Sequence, residues 1–262
     1  MPRGSLLAVV WKEVEEARDL PGLRLVLTEG VPGPWGEAAK GVFRAKGIPF
    51  VKVRQKAGSE NDALFAWTGH RNAPVAIYED ERPRAGWVEI LNLAERLAPE
   101  PSLVPRDPTE RVLFFGLAHE LMSEGGFGWC RRLLLFQGSA DGDEPIEPLR
   151  PMLGRMFRQY GYSAAAAAAA PQRVAGILRL LSEQLAAQRA KGHAYLMGER
   201  LSALDVYWAA MAALGFPLPH EQCPMSRPMR DAYTTAPPEV DPALLALRDR
   251  VYEKHLGLPV DL

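Results

Sequence analysis

The sequence contains little cysteine and has no excess of one charge sign. Its 262 residues include only two cysteines, Cys130 and Cys223. This excludes a disulfide-stapled scaffold and a cysteine-rich zinc module, and it is typical of a reducing cytosol. The 31 basic and 32 acidic residues leave a net charge of −1, so bulk electrostatic binding to nucleic acid or to an anionic membrane is not expected. We therefore expect a cytoplasmic protein.

Long apolar runs and the common catalytic motifs are missing as well. The apolar run after Ser5 is too short for a secretory signal, and no stretch approaches the roughly 18 apolar residues of a spanning helix. The five histidines show no metal-ligand spacing with cysteines or carboxylates, so no metal site is predicted. No Walker, dinucleotide-binding or Gly-x-Ser-x-Gly motif occurs.

The first hundred residues alternate between strand and helix patterns. The elements predicted from apolar periodicity are a helix over 6–18, strands over 23–28, 49–54 and 74–78, and helices over 35–46 and 87–97. The first strand–helix–strand unit is expected to form a right-handed parallel crossover. The segment 1–22 is treated as an N-terminal helical extension, and 23–98 as an α/β domain.

The remainder of the chain is predicted to be helical. Four prolines between 98 and 108 mark 99–107 as a linker, and 108–262 as an all-α domain. Helices are predicted from 108 to about 121 and near 127–137, 149–160, 172–190, 202–214 and 242–255, with loops over 138–148 and 215–240. The alanines at 164–170 fit either a helix or a linker.

This order of elements, together with two motifs, resembles the glutathione transferase family. One motif is residues 72–80, which look like the family's strand that begins with a cis-proline, here Pro74. The other is residues 199–206, which look like its helix-capping box, with Ser202 and Asp205 as the reciprocal pair. The resemblance covers about residues 23–214. It implies a thioredoxin-like domain followed by an all-α domain, and a homodimer.

The resemblance also implies a site for glutathione and a hydrophobic electrophile. A cis bond between Ala73 and Pro74 would turn the N–H and C=O of Ala73 toward the cysteinyl backbone of the tripeptide. The residues placed at glutathione by the resemblance are Gly33, Pro34, Trp35, Asn72, Ala73, Pro74, Arg84 and Trp87. Those placed in the apolar pocket are Phe127, Trp129 and Trp208, for which ordinary core packing is the alternative.

The sequence departs from the family where the thiol would be activated. Gly33 stands where some members carry a serine or cysteine, and Thr28 is close to the position of the tyrosine in others. The usual Glu/Gln-Ser pair is also replaced, by the stretch 84–89, in which Arg84 could pair with a carboxylate. Two functions therefore stay open. One is conjugation promoted by amides at a helix N-terminus; the alternative is a non-catalytic binding or interaction protein with the same fold.

Overall fold

The computed structural model describes residues 11–140 and 150–262, with side chains for 11–137 and 154–262. The chain divides into two compact units, Met1–Pro99 and Glu100–Leu262. The division falls at the start of the proline-rich segment. An α/β unit is followed by a helical unit, as the periodicity predicts.

A three-stranded mixed sheet organises the first unit. Its strands are β1 (Leu23–Thr28), β2 (Val51–Gln55) and β3 (Val75–Tyr78), in the order β2-β1-β3. The predicted parallel pairing of β1 with β2 is confirmed, and β3 runs antiparallel to β1. The buried residues of β1 and β3 reflect the continuous apolar pattern of strands covered on both faces.

In the described part of the first unit, four helices accompany this sheet: α1 (Val14–Ala17), α2 (Pro34–Ala45), α3 (Asp62–Thr68) and α4 (Trp87–Leu97). Helices α2 and α4 match their predictions within two residues. Helix α3 was not predicted. It has only seven residues, but Gly69 ends it in the left-handed conformation and donates its N–H to the Phe65 carbonyl at 2.8 Å, a recognisable stop signal.

The prediction of one continuous helix over 6–18 is wrong for its described part. Helix α1 begins only at Val14, and Lys12 is extended. The Lys12 N–H donates to the Lys52 carbonyl at 3.0 Å, and the Arg54 N–H donates to the Lys12 carbonyl at 2.9 Å. The backbone of this segment therefore forms its hydrogen bonds with the free edge of β2 rather than within a helix. Residues 6–10 of the predicted helix lie outside the described residues.

The second unit is built from helices. They are α5 (Pro108–Met122), α6 (Phe127–Ala140), α7 (Arg150–Gln159), α8 (Ala164–Ala190), α9 (Ala203–Met211), α10 (Arg227–Tyr233) and α11 (Pro242–Val251), followed by a π-helical turn, Tyr252–Leu256. The alanine run is helical and forms the start of α8, where the Ser163 hydroxyl accepts the Ala166 N–H at 3.1 Å. Helix α10 lies inside the predicted loop 215–240, and part of the loop 138–148 lies outside the described residues.

Helix α9 is the centre of the second unit, and all nine of its residues are buried. The Trp208 indole N–H donates to the Leu244 carbonyl at 2.8 Å, which ties α9 to α11. Arg131 is buried nearby, and its guanidinium donates to the carbonyls of Leu214, Thr235 and Ala236, each at 2.8 Å. Burial lowers the pKa of Arg131 to about 10. The Arg131 side chain thereby ties Leu214, which lies just after α9, to Thr235 and Ala236, which lie just after α10.

Within the described ranges, no helix combines the length and the apolar character needed to cross a bilayer.

Candidate functional site

The predicted glutathione site lies where β1 ends and β3 begins. Ala73 and Pro74 immediately precede β3, and the peptide bond between them is cis, as the resemblance predicted. A side-chain relay connects this segment to the sheet. The Gln55 amide donates to the Arg71 carbonyl at 3.4 Å, and the Thr28 hydroxyl donates to the Gln55 amide oxygen at 2.6 Å. The ends of β1 and β2 thereby position the chain that enters β3.

Ala73 presents its main chain rather than its side chain. Its methyl group packs on a core cluster that includes Val26, Val75 and Leu64. Neither its N–H nor its C=O has a hydrogen-bond partner in the described part of the chain, because the ladder with β1 ends at the Val26–Val75 pair. An extended peptide could form hydrogen bonds with the N–H and C=O of Ala73, as a neighbouring strand does with β3.

The N-terminus of α2 supplies the second part of the predicted site. Gly33 is its N-cap residue, with φ −64° and ψ 118°, and Pro34 is the first helical residue. The Gly33 N–H donates to the Val31 carbonyl at 2.8 Å. The Gly36 N–H has no acceptor among the described residues, so the helix offers at least one amide donor here. Trp35 is half-buried.

Neither Gly33 nor Thr28 has a side-chain group free to donate a hydrogen bond to the glutathione thiol in this conformation. A Cβ added at Gly33 would have no atom within 4 Å, so the position is open but holds no functional group. The Thr28 hydroxyl is engaged with Gln55. Thiol chemistry at this site would therefore depend on main-chain amides and on the partial positive charge of the helix terminus.

The predicted carboxylate anchor, Arg84, is already paired. Its guanidinium lies 2.6 Å from a Glu81 oxygen, and Arg96 binds the same carboxylate at 2.6 Å. Hydrogen bonds from Arg96 and Arg84 lower the pKa of Glu81. The Arg84 backbone also forms a bridge to Ala76, so this residue lies on the side of β3 that faces away from β1. To bind glutathione, its side chain would have to leave Glu81.

The remaining predicted glutathione residues lie at the surface or at the start of α4. Asn72 is exposed, and Trp87 is half-buried as the first residue of α4. The α4 terminus is capped internally, since the Gly86 N–H donates to Glu89 at 3.3 Å. This end of the first unit therefore offers less to a ligand than the Ala73 main chain does.

The three residues predicted for the apolar pocket do not form one surface. Phe127 and Trp208 are both completely buried, and their rings meet edge to face at 5.8 Å. Both are core residues, as the alternative interpretation proposed. Trp129 is partly exposed, and its ring lies 4.7 Å from that of Tyr160.

A cavity of about 540 Å³ lies at the other end of the sheet and was not predicted. It is lined by Arg18, Asp19, Leu20, Pro21, Arg24, Trp67, Ile77, Glu79, Asp80, Glu81, Arg82 and Pro83. Two of its lining residues, Arg24 of β1 and Ile77 of β3, are paired with each other next to the Leu23–Tyr78 pair. This end of the β1–β3 ladder is opposite to the end at which Ala73 lies. Its lining carries three arginines and four carboxylates, and no sequence motif marks it.

In the described ranges, no group of three or more histidine, cysteine, aspartate or glutamate residues is placed to hold a metal ion. Cys130 and Cys223 are both buried free thiols. Burial raises the pKa of Cys130, which suits a structural rather than a reactive thiol.

Comparison of the fold with solved structures finds many similar chains. A glutathione transferase from Methylobacterium radiotolerans, in complex with glutathione sulfonate, superimposes with a TM-score of 0.58 at 18% identity, covering 87% of this chain and 89% of that one. A rice glutathione transferase in complex with glutathione gives 0.58 at 21% identity, covering 92% and 93%. A glutathione S-transferase domain-containing protein from Marinobacter aquaeolei gives 0.61 at 18% identity, covering 87% and 96%.

The chain therefore has the glutathione transferase fold, a thioredoxin-like domain followed by a helical domain. No family model and no curated protein matches its sequence. At these identities the likeness establishes the fold alone.

Proposed function

We propose that this chain binds glutathione against the main chain of Ala73 and joins its thiol to a hydrophobic electrophile. The observation that carries the proposal is the unpaired N–H and C=O of Ala73 at the start of β3. The Methylobacterium and rice proteins of the same fold are bound to glutathione sulfonate and to glutathione, respectively, which supports the choice of tripeptide.

The main-chain pairing explains how recognition tolerates the substitutions in this site. Antiparallel pairing would give two hydrogen bonds between Ala73 and the cysteinyl residue, each contributing about 1 kcal/mol net. Because these bonds use only backbone atoms, the side chain of residue 73 needs only to be small enough to pack on the core. The site can therefore bind even with Arg84 committed to Glu81.

The positive end of α2 would stabilise the thiolate. The Gly36 amide points to no protein acceptor in the described chain, and a helix terminus lowers the pKa of a nearby thiol. A helix terminus alone lowers the pKa of the glutathione thiol less than a terminus together with a hydroxyl or thiol that donates a hydrogen bond to the sulfur. We expect slow conjugation.

The second candidate function is binding without turnover. It is favoured by the absence of a side chain at Gly33 and by the Thr28–Gln55 hydrogen bond, which together leave no hydroxyl for the sulfur. In that case the chain would retain glutathione, or a partner that carries it, and release it unchanged.

The test changes the ligand and leaves the protein intact. Affinity is measured calorimetrically for glutathione, for glutathione N-methylated at the cysteinyl nitrogen, and for S-methylglutathione as the matched control. N-methylation removes the donor to the Ala73 carbonyl, so we expect about fivefold weaker binding, whereas S-methylation leaves the pairing intact. Equal affinity for glutathione and its N-methyl analogue, or no binding of glutathione, would overturn the proposal.

A conjugation assay then separates the two candidates. Thioether formation above the uncatalysed rate supports the transferase, and binding without such a rate supports the binding protein. We also propose a cytoplasmic homodimer, on the resemblance alone; light scattering should give twice the 28.9 kDa chain mass.

A further inference from the structure

The cavity at the end of the sheet opposite to Ala73 has the size of a small-molecule site. Its volume of about 540 Å³ lies within the range of roughly 300–1,000 Å³ that ligand pockets occupy. All of its lining residues fall between 18 and 83, so it belongs entirely to the first unit. The proposed function makes no use of it.

The segments that precede β1 and follow β3 form two walls of this cavity. They are joined where they leave the sheet, since the Glu79 N–H donates to the Gly22 carbonyl at 3.1 Å and the Gly22 N–H donates to the Glu79 carboxylate at 3.0 Å. The Arg24 guanidinium donates to the carbonyls of Leu20 and Glu79, one in each wall. These contacts fix both walls relative to the sheet.

Trp67 gives the cavity an aromatic wall that already accepts a planar cation. The guanidinium carbon of Arg24 lies 5.8 Å from the centre of the indole ring, which is a cation–π contact. Trp67 is only partly buried, so part of its surface is accessible to a ligand. Further apolar surface comes from Leu20, Pro21, Ile77 and Pro83.

Each arginine of the lining has a partner within the protein. Arg82 donates to Glu89 at 2.8 Å, and the Arg18 guanidinium lies 3.5 Å from the Asp19 carboxylate. The terminal nitrogens of the buried Arg24 both donate to backbone carbonyls. An anionic ligand would therefore have to displace one of these contacts.

One carboxylate of the lining has no such partner. Arg84 and Arg96 both bind Glu81, each at 2.6 Å, and the Glu79 carboxylate accepts a backbone N–H. Asp80 is exposed, and its carboxylate forms no hydrogen bond or ion pair with the residues that the structure describes. Since the acidic groups of the described ranges are not clustered as metal ligands, this cavity fits a cation with an extended body better than a single metal ion.

We propose that this cavity binds a small aromatic amidinium or guanidinium compound. The flat cationic group would donate two parallel hydrogen bonds to the Asp80 carboxylate, and the attached ring would pack on Trp67 and Ile77. Binding requires neither glutathione nor the main chain of Ala73. This site therefore goes beyond the proposed function, and the two proposals can fail separately.

The experiment titrates the full chain, labelled with nitrogen-15, with benzamidine and with its uncharged counterpart benzamide. The chain has six tryptophans, all in the described ranges, and of these only Trp67 lines the cavity. Its assigned indole N–H signal in the NMR spectrum therefore reports binding there, and the other five are internal controls. We expect a saturable shift of the Trp67 signal and about fivefold tighter binding of benzamidine than of benzamide, because only the cation is attracted to Asp80. Equal affinities, or a shift of other indoles in place of Trp67, would overturn the proposal.

Asp80→Asn removes the carboxylate and keeps the size of the side chain. It should abolish the preference for benzamidine and leave benzamide affinity within about twofold. The matched control is Asp231→Asn, which makes the same charge change in the second unit, where the Asp231 side chain is 70% exposed and lies 3.8 Å from Arg227; it should leave the preference unchanged. A preference that survives in Asp80→Asn would also overturn the proposal. Glutathione affinity, measured in parallel, reports on the proposed function separately.

Discussion

The Asp205 carboxylate accepts the backbone N–H of Ser202 at 2.9 Å and the Ser202 hydroxyl at 2.6 Å. Its other oxygen accepts the Leu196 N–H at 2.8 Å. The group is completely buried. Burial raises its pKa from 3.8 to about 6, even though these hydrogen bonds act in the opposite direction. The predicted capping pair thus also joins the start of α9 to the preceding loop.

The raised pKa of Asp205 predicts how stability depends on pH. Between about pH 4 and pH 6 the folded chain holds a proton that the unfolded chain releases, so the stabilisation by Asp205 falls as pH rises. The difference in unfolding free energy between the unmodified protein and Asp205→Asn should fall by at most about 1.4 kcal/mol per pH unit. It should become constant above about pH 7, where the folded chain has also released the proton. Urea denaturation at several pH values measures it, and a difference that grows with pH would contradict the assignment.

Gly33→Ser is expected to increase conjugation activity. The position has an ordinary backbone conformation and open space for a Cβ, so a hydroxyl can be added beside the α2 terminus without strain. It would donate to the glutathione sulfur and should raise the rate about tenfold or more. Initial rates with a chloronitroarene measure this. Gly33→Ala adds the Cβ without the hydroxyl and should leave the rate unchanged; an equal increase in both variants would refute the explanation.

Thr28→Val should leave conjugation unchanged. The Thr28 hydroxyl already donates to Gln55, so its loss removes a structural hydrogen bond and not a contact with the sulfur. We expect a loss of about 1 kcal/mol in unfolding free energy and an unaltered rate. A substantial drop in kcat with unchanged glutathione affinity would identify Thr28 as the thiol donor after all.

Gly126→Ala should destabilise the second unit. A Cβ at this position would lie 2.5 Å from the Glu120 carbonyl oxygen, which is backbone and cannot move aside. We expect a loss of about 2 kcal/mol or more. The control is Gly116→Ala on the exposed face of α5, where nothing lies within 4 Å; it should stabilise the protein by about 0.5–1 kcal/mol. Chemical denaturation of both variants tests the contrast.

The sequence alone could predict the features that depend on short-range patterns. The β1, β2 and β3 strands, helices α2 and α4, and the Ser202–Asp205 pair each depend on spacings of a few residues. Such spacings indicate periodicity, capping and chain breaks directly. Helices α3 and α10, of seven residues each, are too short for periodicity to indicate.

Contacts between distant segments were decided only by the tertiary structure. The pattern around Lys12 fits a helix, but the open edge of β2 satisfies its backbone instead. The resemblance placed Phe127 and Trp208 in a substrate pocket, but both side chains are completely buried in the core. Arg131 and Arg132 are adjacent and identical in type, yet one is saturated by carbonyls and the other lies among phenols, because the helix turns them toward different neighbours. Local sequence determines conformation, whereas the partners of a charge depend on what the folded chain brings beside it.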